Sequence, residues 1–146
     1  MFKQTIIILM LFEIYKLYWK NIMEVKFLIT EYFNVKVIQT TVKGEITISD
    51  RNEIALKTIE KMREEKISKI IWDIREAKFA YSLVGSHEFI VDIKQLGVDN
   101  SDYLAVVYFN DKQRHEHSKI VAYNRGIVNL QYFQDIDKAI EWLVSK

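Results

Sequence analysis

The fold is decided by residues 68–77, Ser68-Lys69-Ile70-Ile71-Trp72-Asp73-Ile74-Arg75-Glu76-Ala77. The run from Ile67 to Ile74 is mostly apolar and β-branched, which predicts a short buried strand. Asp73 and Arg75 lie two residues apart near its end, so their side chains share one face if the strand continues. A turn is predicted to follow at 76–81, and the rest of the chain is predicted to form layers on either side of this strand.

Strands and helices alternate around this central strand. The predicted order is ββαβαβαβα, with strands at 25–30, 35–42, 67–74, 103–109 and 127–133 and helices that begin at Ser49 or Asp50, at Ser82, at Asn110 or Asp111, and at Asp135. Gly44 is expected to close the second strand. Strands that alternate with helices require crossovers, which place the helices on the faces of the sheet. We therefore predict an α/β domain with a mixed five-stranded sheet that is parallel in its later strands.

Composition narrows the classes of function. The chain has 146 residues, which suits one domain, and its formal net charge of +1 argues against a dedicated nucleic-acid binder. It has no cysteine, which excludes disulfides, thiolate catalysis and cysteine-bound zinc and is compatible with a cytoplasmic location. The sequence contains no glycine-rich phosphate loop and no nucleophile elbow. We expect no cofactor.

The first 22 residues differ from the rest of the chain. Residues 6–12 form a continuous apolar run, but Glu13, Lys16 and Lys20 interrupt its continuation, and about 20 apolar residues are needed to span a bilayer. Our preferred interpretation is that translation starts at Met23 and that residues 1–22 are an extension outside a domain at 23–146. The alternatives are an amphipathic helix that docks on the domain or on a partner, and an interfacial membrane anchor. Membrane contact is expected only if this segment belongs to the protein and is amphipathic.

The segment His115-Glu116-His117 does not have the spacing of a metal site. Residues i and i+2 do not share a face of a helix, whereas the helical zinc motif has histidines at i and i+4. We expect the segment to be the exposed start of the third helix, with His117 on the same face as Val121. His87 stands alone on the second helix. No metal site is predicted.

Four segments carry a resemblance to a known family. They are Gly44-Glu45-Ile46-Thr47, Trp72-Asp73-Ile74-Arg75-Glu76-Ala77, Leu104-Ala105-Val106-Val107 and Gln131-Tyr132-Phe133-Gln134-Asp135-Ile136-Asp137-Lys138-Ala139-Ile140-Glu141-Trp142-Leu143. Together with the hairpin, this ordered set resembles the SpoIIAA-like group of STAS domains, which overlaps in fold with the lipid-binding CRAL-TRIO domains. The resemblance covers residues 23–146.

The resemblance implies a protein-binding role and a phosphorylation switch. Anti-anti-sigma STAS proteins bind a kinase and are switched on a serine at the start of the helix after the central strand, within an Asp-Ser-Ser-Gly type motif. This chain has Ala80-Tyr81-Ser82-Leu83-Val84-Gly85 there. Ser82 is therefore the phosphorylation candidate, although Tyr81 replaces the aspartate and the glycine lies later.

Three functions remain open at this stage. The first is a non-enzymatic STAS-like regulatory or protein-interaction module, the second a carrier of a small apolar ligand such as a lipid, and the third an enzyme that uses Asp73, Arg75 and a histidine. The candidate ligand- or partner-binding residues are Asp73, Arg75, Tyr81, Ser82, Phe89 and Tyr108. A cavity lined by Tyr81, Phe89 and Tyr108 would favour the carrier. Asp73 and Arg75 have the alternative interpretation of a purely structural ion pair. The sequence leaves the partner, the ligand and the oligomeric state open.

Overall fold

The structure is a computed structural model that describes residues 7–9, 15–17, 23–82, 93–127 and 129–146. Its strands are β1 (Ile7–Leu9), β2 (Tyr15–Leu17), β3 (Met23–Tyr32), β4 (Val35–Ile46), β5 (Lys69–Phe79), β6 (Tyr103–Val107) and β7 (Leu130–Phe133). Its helices are α1 (Ile48–Glu65), α2 (Lys112–Asn124) and α3 (Ile136–Val144). The helix predicted to begin at Ser82 falls mainly on residues 83–92, outside the described residues. In the described ranges, no helix is long and apolar enough to cross a bilayer.

A single mixed sheet organises the described chain. Its strand order is β1-β3-β4-β5-β6-β7, with β2 also paired to β3. The hairpin β3–β4 is antiparallel, and β4, β5, β6 and β7 run parallel. The predicted five-stranded α/β sheet, parallel in its later strands, is therefore confirmed from residue 23 onward, with β5 at its centre.

Two short strands lie within the N-terminal 22 residues. Both β1 and β2 pair antiparallel with β3 and widen the sheet to seven strands. The described residues of this segment therefore form strands and not the amphipathic helix that was one of the alternatives. The proposal that the domain itself begins at residue 23 stays a prediction.

The two faces of the sheet carry different helices. Alternate residues of β5 divide between them: Ile70 and Trp72 belong to the core under α1 and α2, whereas Ile71 belongs to the core under α3. Ile70 and Ile71 are completely buried. Full burial of one such side chain contributes about 1.5–3 kcal/mol, which explains why a strand covered on both faces anchors the fold.

A β-bulge in β5 changes which residues face α1. Thr41 of β4 pairs with Asp73, but Lys43 pairs with Glu76, so β5 holds one extra residue at this point. The bulge reverses the alternation of the strand. As a result Phe79 packs with the core beneath α1, on the same face as Trp72.

The bulged part of β5 corrects two predictions. β5 continues to Phe79, and the turn predicted at 76–81 is wrong because residues 76–79 pair with residues 43–46 of β4. Gly44 does not close the second strand either. Its φ of 92° lies in the region that favours glycine, and the strand continues beyond it to Ile46.

Helix α1 begins earlier than its sequence pattern indicated. Thr47 is the N-cap, and its hydroxyl accepts a hydrogen bond from the backbone N–H of Asp50 at 3.2 Å. Asp50 in turn accepts from the backbone N–H of Thr47 at 2.8 Å, which completes a capping box. Ser49 and Asp50 therefore belong to the first turn, and the predicted cap was two to three residues late.

Candidate functional site

A pocket lies between the sheet and helices α1 and α2. Its cavity volume is about 90 Å³. Strands β4, β5, β6 and β7 supply one wall, the two helices supply the other, and Tyr81 lies just beyond β5. The described lining residues are Val42, Ile46, Arg51, Ile54, Ala55, Trp72, Ile74, Phe79, Tyr81, Val106, Arg114, His115, Ser118 and Tyr132. Most of them are apolar or aromatic, as is usual for a small-molecule site.

Two arginines converge on Tyr81. The guanidinium carbon of Arg51 lies 5.1 Å from the centroid of the Tyr81 ring, and that of Arg114 lies 5.5 Å from it. Both distances are within the range of cation–π attraction. Burial raises the pKa of the Tyr81 hydroxyl, and the charges of the two arginines oppose that effect only partly. Tyr81 is therefore a neutral phenol held between two cations.

Arg114 ties α2 to the chain that follows β5. Its Nη2 donates to the carbonyl oxygen of Tyr81 at 3.0 Å, and its Nη1 donates to that of Ser82 at 3.3 Å. Its Nε donates to Asp111, the N-cap of α2, at 2.6 Å. One side chain thus fixes both the start of α2 and the backbone that carries Tyr81.

His115 belongs to the inner part of this site. Its side chain is 4% exposed and stacks among the rings of Tyr108, Tyr132 and Phe79 at centroid distances of 4.3, 5.5 and 6.0 Å. Burial lowers the pKa of His115 from 6.5 to about 4. The imidazole is therefore neutral at physiological pH. Burial also raises the pKa of Tyr132, whose hydroxyl hydrogen-bonds with Ser118, so the inner part of the pocket carries polar groups but no charge.

The inward face of α2 was misassigned from sequence. The buried residues of α2 are His115, Ser118, Val121 and Ala122, whereas Ile120 is 59% exposed and His117 lies on the surface. The expectation of an exposed start that includes His115, with His117 on the face of Val121, is wrong. The i, i+3, i+6, i+7 spacing of the four buried residues was a usable signal. It was hidden because half of that face is polar.

Asp73 and Arg75 occupy the opposite face of the sheet. Arg75 donates from Nε to Oδ1 of Asp73 at 2.8 Å and from Nη2 to Oδ2 at 2.7 Å, a bidentate pair. Asp73 is 5% exposed, and it alternates with Trp72 along β5, so it lies on the α3 side. The sheet therefore separates this pair from the pocket on the α1 and α2 side.

Only some of the remaining predicted site residues lie at the pocket. Tyr81 lines the pocket, and Tyr108 supports it from behind His115. Ser82 is exposed next to Tyr81, and Phe89 lies outside the described residues. Arg51, Arg114 and His115 were not among the predicted site residues, because a helical arginine or histidine resembles a surface residue until the tertiary contacts are known.

The described residues do not assemble the enzyme constellation that we considered. Asp73 and Arg75 lie under α3, whereas His115 and His117 are on α2, across the sheet. His87 lies outside the described residues. Within the described ranges, no three histidine, cysteine, aspartate or glutamate side chains are grouped so that they could hold a metal ion.

This sheet, with α1 and α2 on one face and α3 on the other, defines the class of protein: an α/β domain with a SpoIIAA-like fold. The crystal structure of an uncharacterized protein of the DUF3478 family with a SpoIIAA-like fold, from Shewanella loihica PV-4, is similar to this chain with a TM-score of 0.54. The match covers 82% of this chain and 93% of that one at 16% sequence identity. The resemblance inferred from sequence is thus confirmed at the level of the fold.

Sequence comparisons add nothing to this structural match. No family model matches the chain, and no curated protein matches it significantly.

Proposed function

We propose that this domain is a non-catalytic binding module whose pocket holds a small, largely apolar molecule. The pocket between the sheet and helices α1 and α2 carries the proposal. Its walls combine aliphatic residues such as Val42 and Val106 with the rings of Trp72 and Phe79. A few polar groups, those of Ser118, Tyr132 and His115, are placed among them, which is the usual composition of a ligand site.

The size of the cavity limits the ligand. A cavity of about 150 Å³ holds benzene, so one of about 90 Å³ accommodates roughly four non-hydrogen atoms. A whole phospholipid is far larger than that. Of the small-ligand alternatives derived from sequence, the pocket therefore favours a compact organic molecule over a membrane lipid.

A titration monitored by NMR tests this proposal. Propan-1-ol added to the protein is expected to shift the amide signals of residues that line the pocket, such as Ile54, Val106 and Ser118, in a saturable manner. Ile74→Trp should abolish these shifts, because Ile74 lines the cavity and an indole would fill it. Ile120→Trp is the matched control, since Ile120 is 59% exposed on the outer face of α2. Equal shifts in both variants would contradict a pocket site.

A protein-interaction role has separate support from the outer face of α2. Ile120 and Tyr123 are 59% and 73% exposed and lie three residues apart, so they neighbour each other on the helix. Phe109, just before the helix, is 70% exposed. Large apolar side chains that are grouped on a surface are typical of protein contacts.

Affinity purification separates this second function from the first. The full chain is expected to capture a specific protein that is lost with the double variant Ile120→Asp/Tyr123→Asp and kept with Leu56→Asp, an exposed apolar position on α1. Phosphorylation of Ser82 would be a regulatory input to this contact, because Arg114 of the same helix binds the Ser82 carbonyl. If Ser82→Glu and Ser82→Ala capture the partner equally, Ser82 is not a switch.

A further inference from the structure

We propose that the pocket selects a small uncharged hydroxyl compound, whose O–H donates a hydrogen bond to the imidazole of His115 while its alkyl part lies against Ile54 and Val106. This inference rests on the proposed binding function and deepens it by naming the chemical class of the ligand. Its basis is a histidine that is 4% exposed, lines the cavity and keeps one ring nitrogen without a donor among the described residues.

A hydrogen bond to Asn110 determines which proton the imidazole of His115 carries. The backbone of Asn110 bonds to the ring and acts to raise the pKa of His115, although burial outweighs this bond and lowers the pKa to about 4. A hydrogen bond raises the pKa of a histidine when the ring is the donor, because the protonated ring can only donate. The ring N–H therefore donates to the carbonyl oxygen of Asn110. Since the imidazole is neutral at physiological pH, its other nitrogen can only accept.

The neighbours of His115 leave this acceptor nitrogen available to a ligand. Tyr108, Tyr132 and Phe79 contact the imidazole through their rings, at centroid distances of 4.3, 5.5 and 6.0 Å. Within the described ranges, no N–H or O–H group donates to the second ring nitrogen. A buried acceptor without a donor costs free energy, so a ligand that brings a donor into the cavity gains from satisfying it.

The hydroxyl of Tyr132 offers a complementary donor beside His115. Ser118 hydrogen-bonds to Tyr132 and acts to lower the pKa of that phenol, so Ser118 is the donor in this bond. Burial outweighs the bond and raises the pKa of Tyr132, and the phenol therefore keeps its own proton. An alcohol oxygen both donates and accepts, so a hydroxyl ligand suits His115 and Tyr132 together.

The requirement for a donor also limits the charge of the ligand. A carboxylate has no proton at pH 7 that it could donate to the imidazole. An ammonium group has such protons, but its burial requires a counter-charge, and the described lining residues include no aspartate or glutamate. An uncharged hydroxyl compound of roughly four non-hydrogen atoms meets both the donor requirement and the cavity volume of about 90 Å³.

NMR titration of the full chain with propan-2-ol and acetone at pH 7 tests the assignment, because the two compounds share one carbon–oxygen skeleton and only the alcohol has an O–H to donate. Propan-2-ol is expected to bind about 5-fold tighter, which corresponds to one net hydrogen bond. Acetate, which adds a negative charge to the same skeleton, should bind more weakly than propan-2-ol. His115→Phe should lower the affinity for propan-2-ol to that for acetone, because it keeps a ring but removes the acceptor. His117→Phe, at an exposed position of the same helix, should change neither affinity.

The ¹⁵N resonance of the acceptor nitrogen of His115 gives a second measurement on the unmodified protein, which decides the question even if His115→Phe fails to fold. Saturation with propan-2-ol should move this resonance upfield, because the lone pair then accepts a hydrogen bond, whereas acetone should leave it unchanged.

Four outcomes would contradict these expectations. Equal affinity for propan-2-ol and acetone with an unchanged ¹⁵N resonance, or tighter binding of acetate, would overturn the hydroxyl assignment and leave the pocket as a binding site. A preference for propan-2-ol that survives His115→Phe would overturn the role of His115. If propan-2-ol, acetone and propan-1-ol all fail to shift the signals of the lining residues, the proposed binding function itself fails.

Discussion

The imidazole of His115 lies against the phenol ring of Tyr108, with the two ring centroids 4.3 Å apart. Both residues are at most 5% exposed. The charges of Asp111 and Arg114 act on the pKa of this histidine in opposite senses, so burial decides its protonation. The contact joins the start of α2 to the end of β6 and makes the inner part of the pocket a neutral aromatic cluster.

The first prediction is a loss of stability in mild acid that depends on His115. The pKa of this histidine is lowered to about 4 in the folded protein, from an ordinary value of 6.5. The unfolded chain therefore takes up a proton that the folded protein excludes as the pH falls below 6.5. The stability that His115 contributes through its lowered pKa is complete above pH 6.5 and is lost progressively between pH 6.5 and pH 4. The total loss is at most about 3 kcal/mol, at about 1.36 kcal/mol per pH unit.

Urea unfolding at pH 7 and pH 5 measures this effect. The unmodified protein should lose about 2 kcal/mol more between these pH values than His115→Phe, which keeps a ring against Tyr108 but cannot titrate. His117→Phe is the control, since His117 is on the same helix and exposed. An identical pH dependence in His115→Phe and the unmodified protein would show that His115 is not the group responsible.

The second prediction concerns the end of α1. Lys66 is the C-cap of this helix and has a φ of 55° and a ψ of 43°, a left-handed conformation that L-residues other than asparagine and aspartate rarely adopt. Glycine adopts it without a Cβ clash. Lys66→Gly is therefore expected to stabilise the protein by about 0.5–1 kcal/mol, measured by urea unfolding.

Lys66→Ala separates the backbone effect from the loss of the lysine side chain. Alanine keeps the Cβ atom, so its stability should stay within about 0.5 kcal/mol of the unmodified protein. If Lys66→Gly and Lys66→Ala are stabilised equally, the added stability comes from removal of the lysine charge, and the left-handed cap is not the cause.

The outline of the fold was predictable because it depends on hydrophobic periodicity. The buried run around Ile71 and the apolar run at 104–107 have no alternation, which is the signature of strands covered on both faces. The stripe Ala139, Ile140 and Leu143 identified α3 in the same way, and all three residues are buried. A pattern that extends over a whole element identifies that element even when its first or last residue is predicted wrongly.

The ends of elements were harder to predict because tertiary pairing overrides local signals. Gly44 resembled the end of a strand, and residues 76–79 resembled a turn, yet these two segments pair with each other beyond the bulge. The hydrogen bonds that the pairing supplies outweigh the low strand propensity of glycine. A bulge has no reliable sequence signal, and so the face on which Phe79 lies could not be derived.

The pocket was only partly predictable for a related reason. Tyr81 was identified because the family resemblance drew attention to the segment after the central strand. Arg51 and His115 were missed because their burial depends on contacts between α1, α2 and residues 79–81, which are far apart in sequence. Asp73 and Arg75 were correctly expected to share a face, but nothing in the sequence could show that this face is opposite to the pocket.

The last prediction separates the structural interpretation of the Asp73–Arg75 pair from the ligand-binding one. Asp73 is 5% exposed, and Arg75 covers it from a side chain that is 40% exposed. Arg75→Met leaves a buried carboxylate without its cation and should cost about 1–3 kcal/mol in the free energy of unfolding. Asp73→Asn should cost less, because the guanidinium that remains is accessible to water.

The double variant Asp73→Asn/Arg75→Met supplies the coupling energy in a thermodynamic cycle. It should be more stable than Arg75→Met alone, since the costly group in that variant is the unpaired carboxylate. Calorimetry on the same proteins shows whether the Asp73–Arg75 pair also contributes to ligand binding. Because the pair lies across the sheet from the pocket, Arg75→Met should leave the binding of propan-1-ol unchanged. A variant of normal stability that had lost propan-1-ol binding would instead place the ligand at Arg75 and contradict the structural role of the pair.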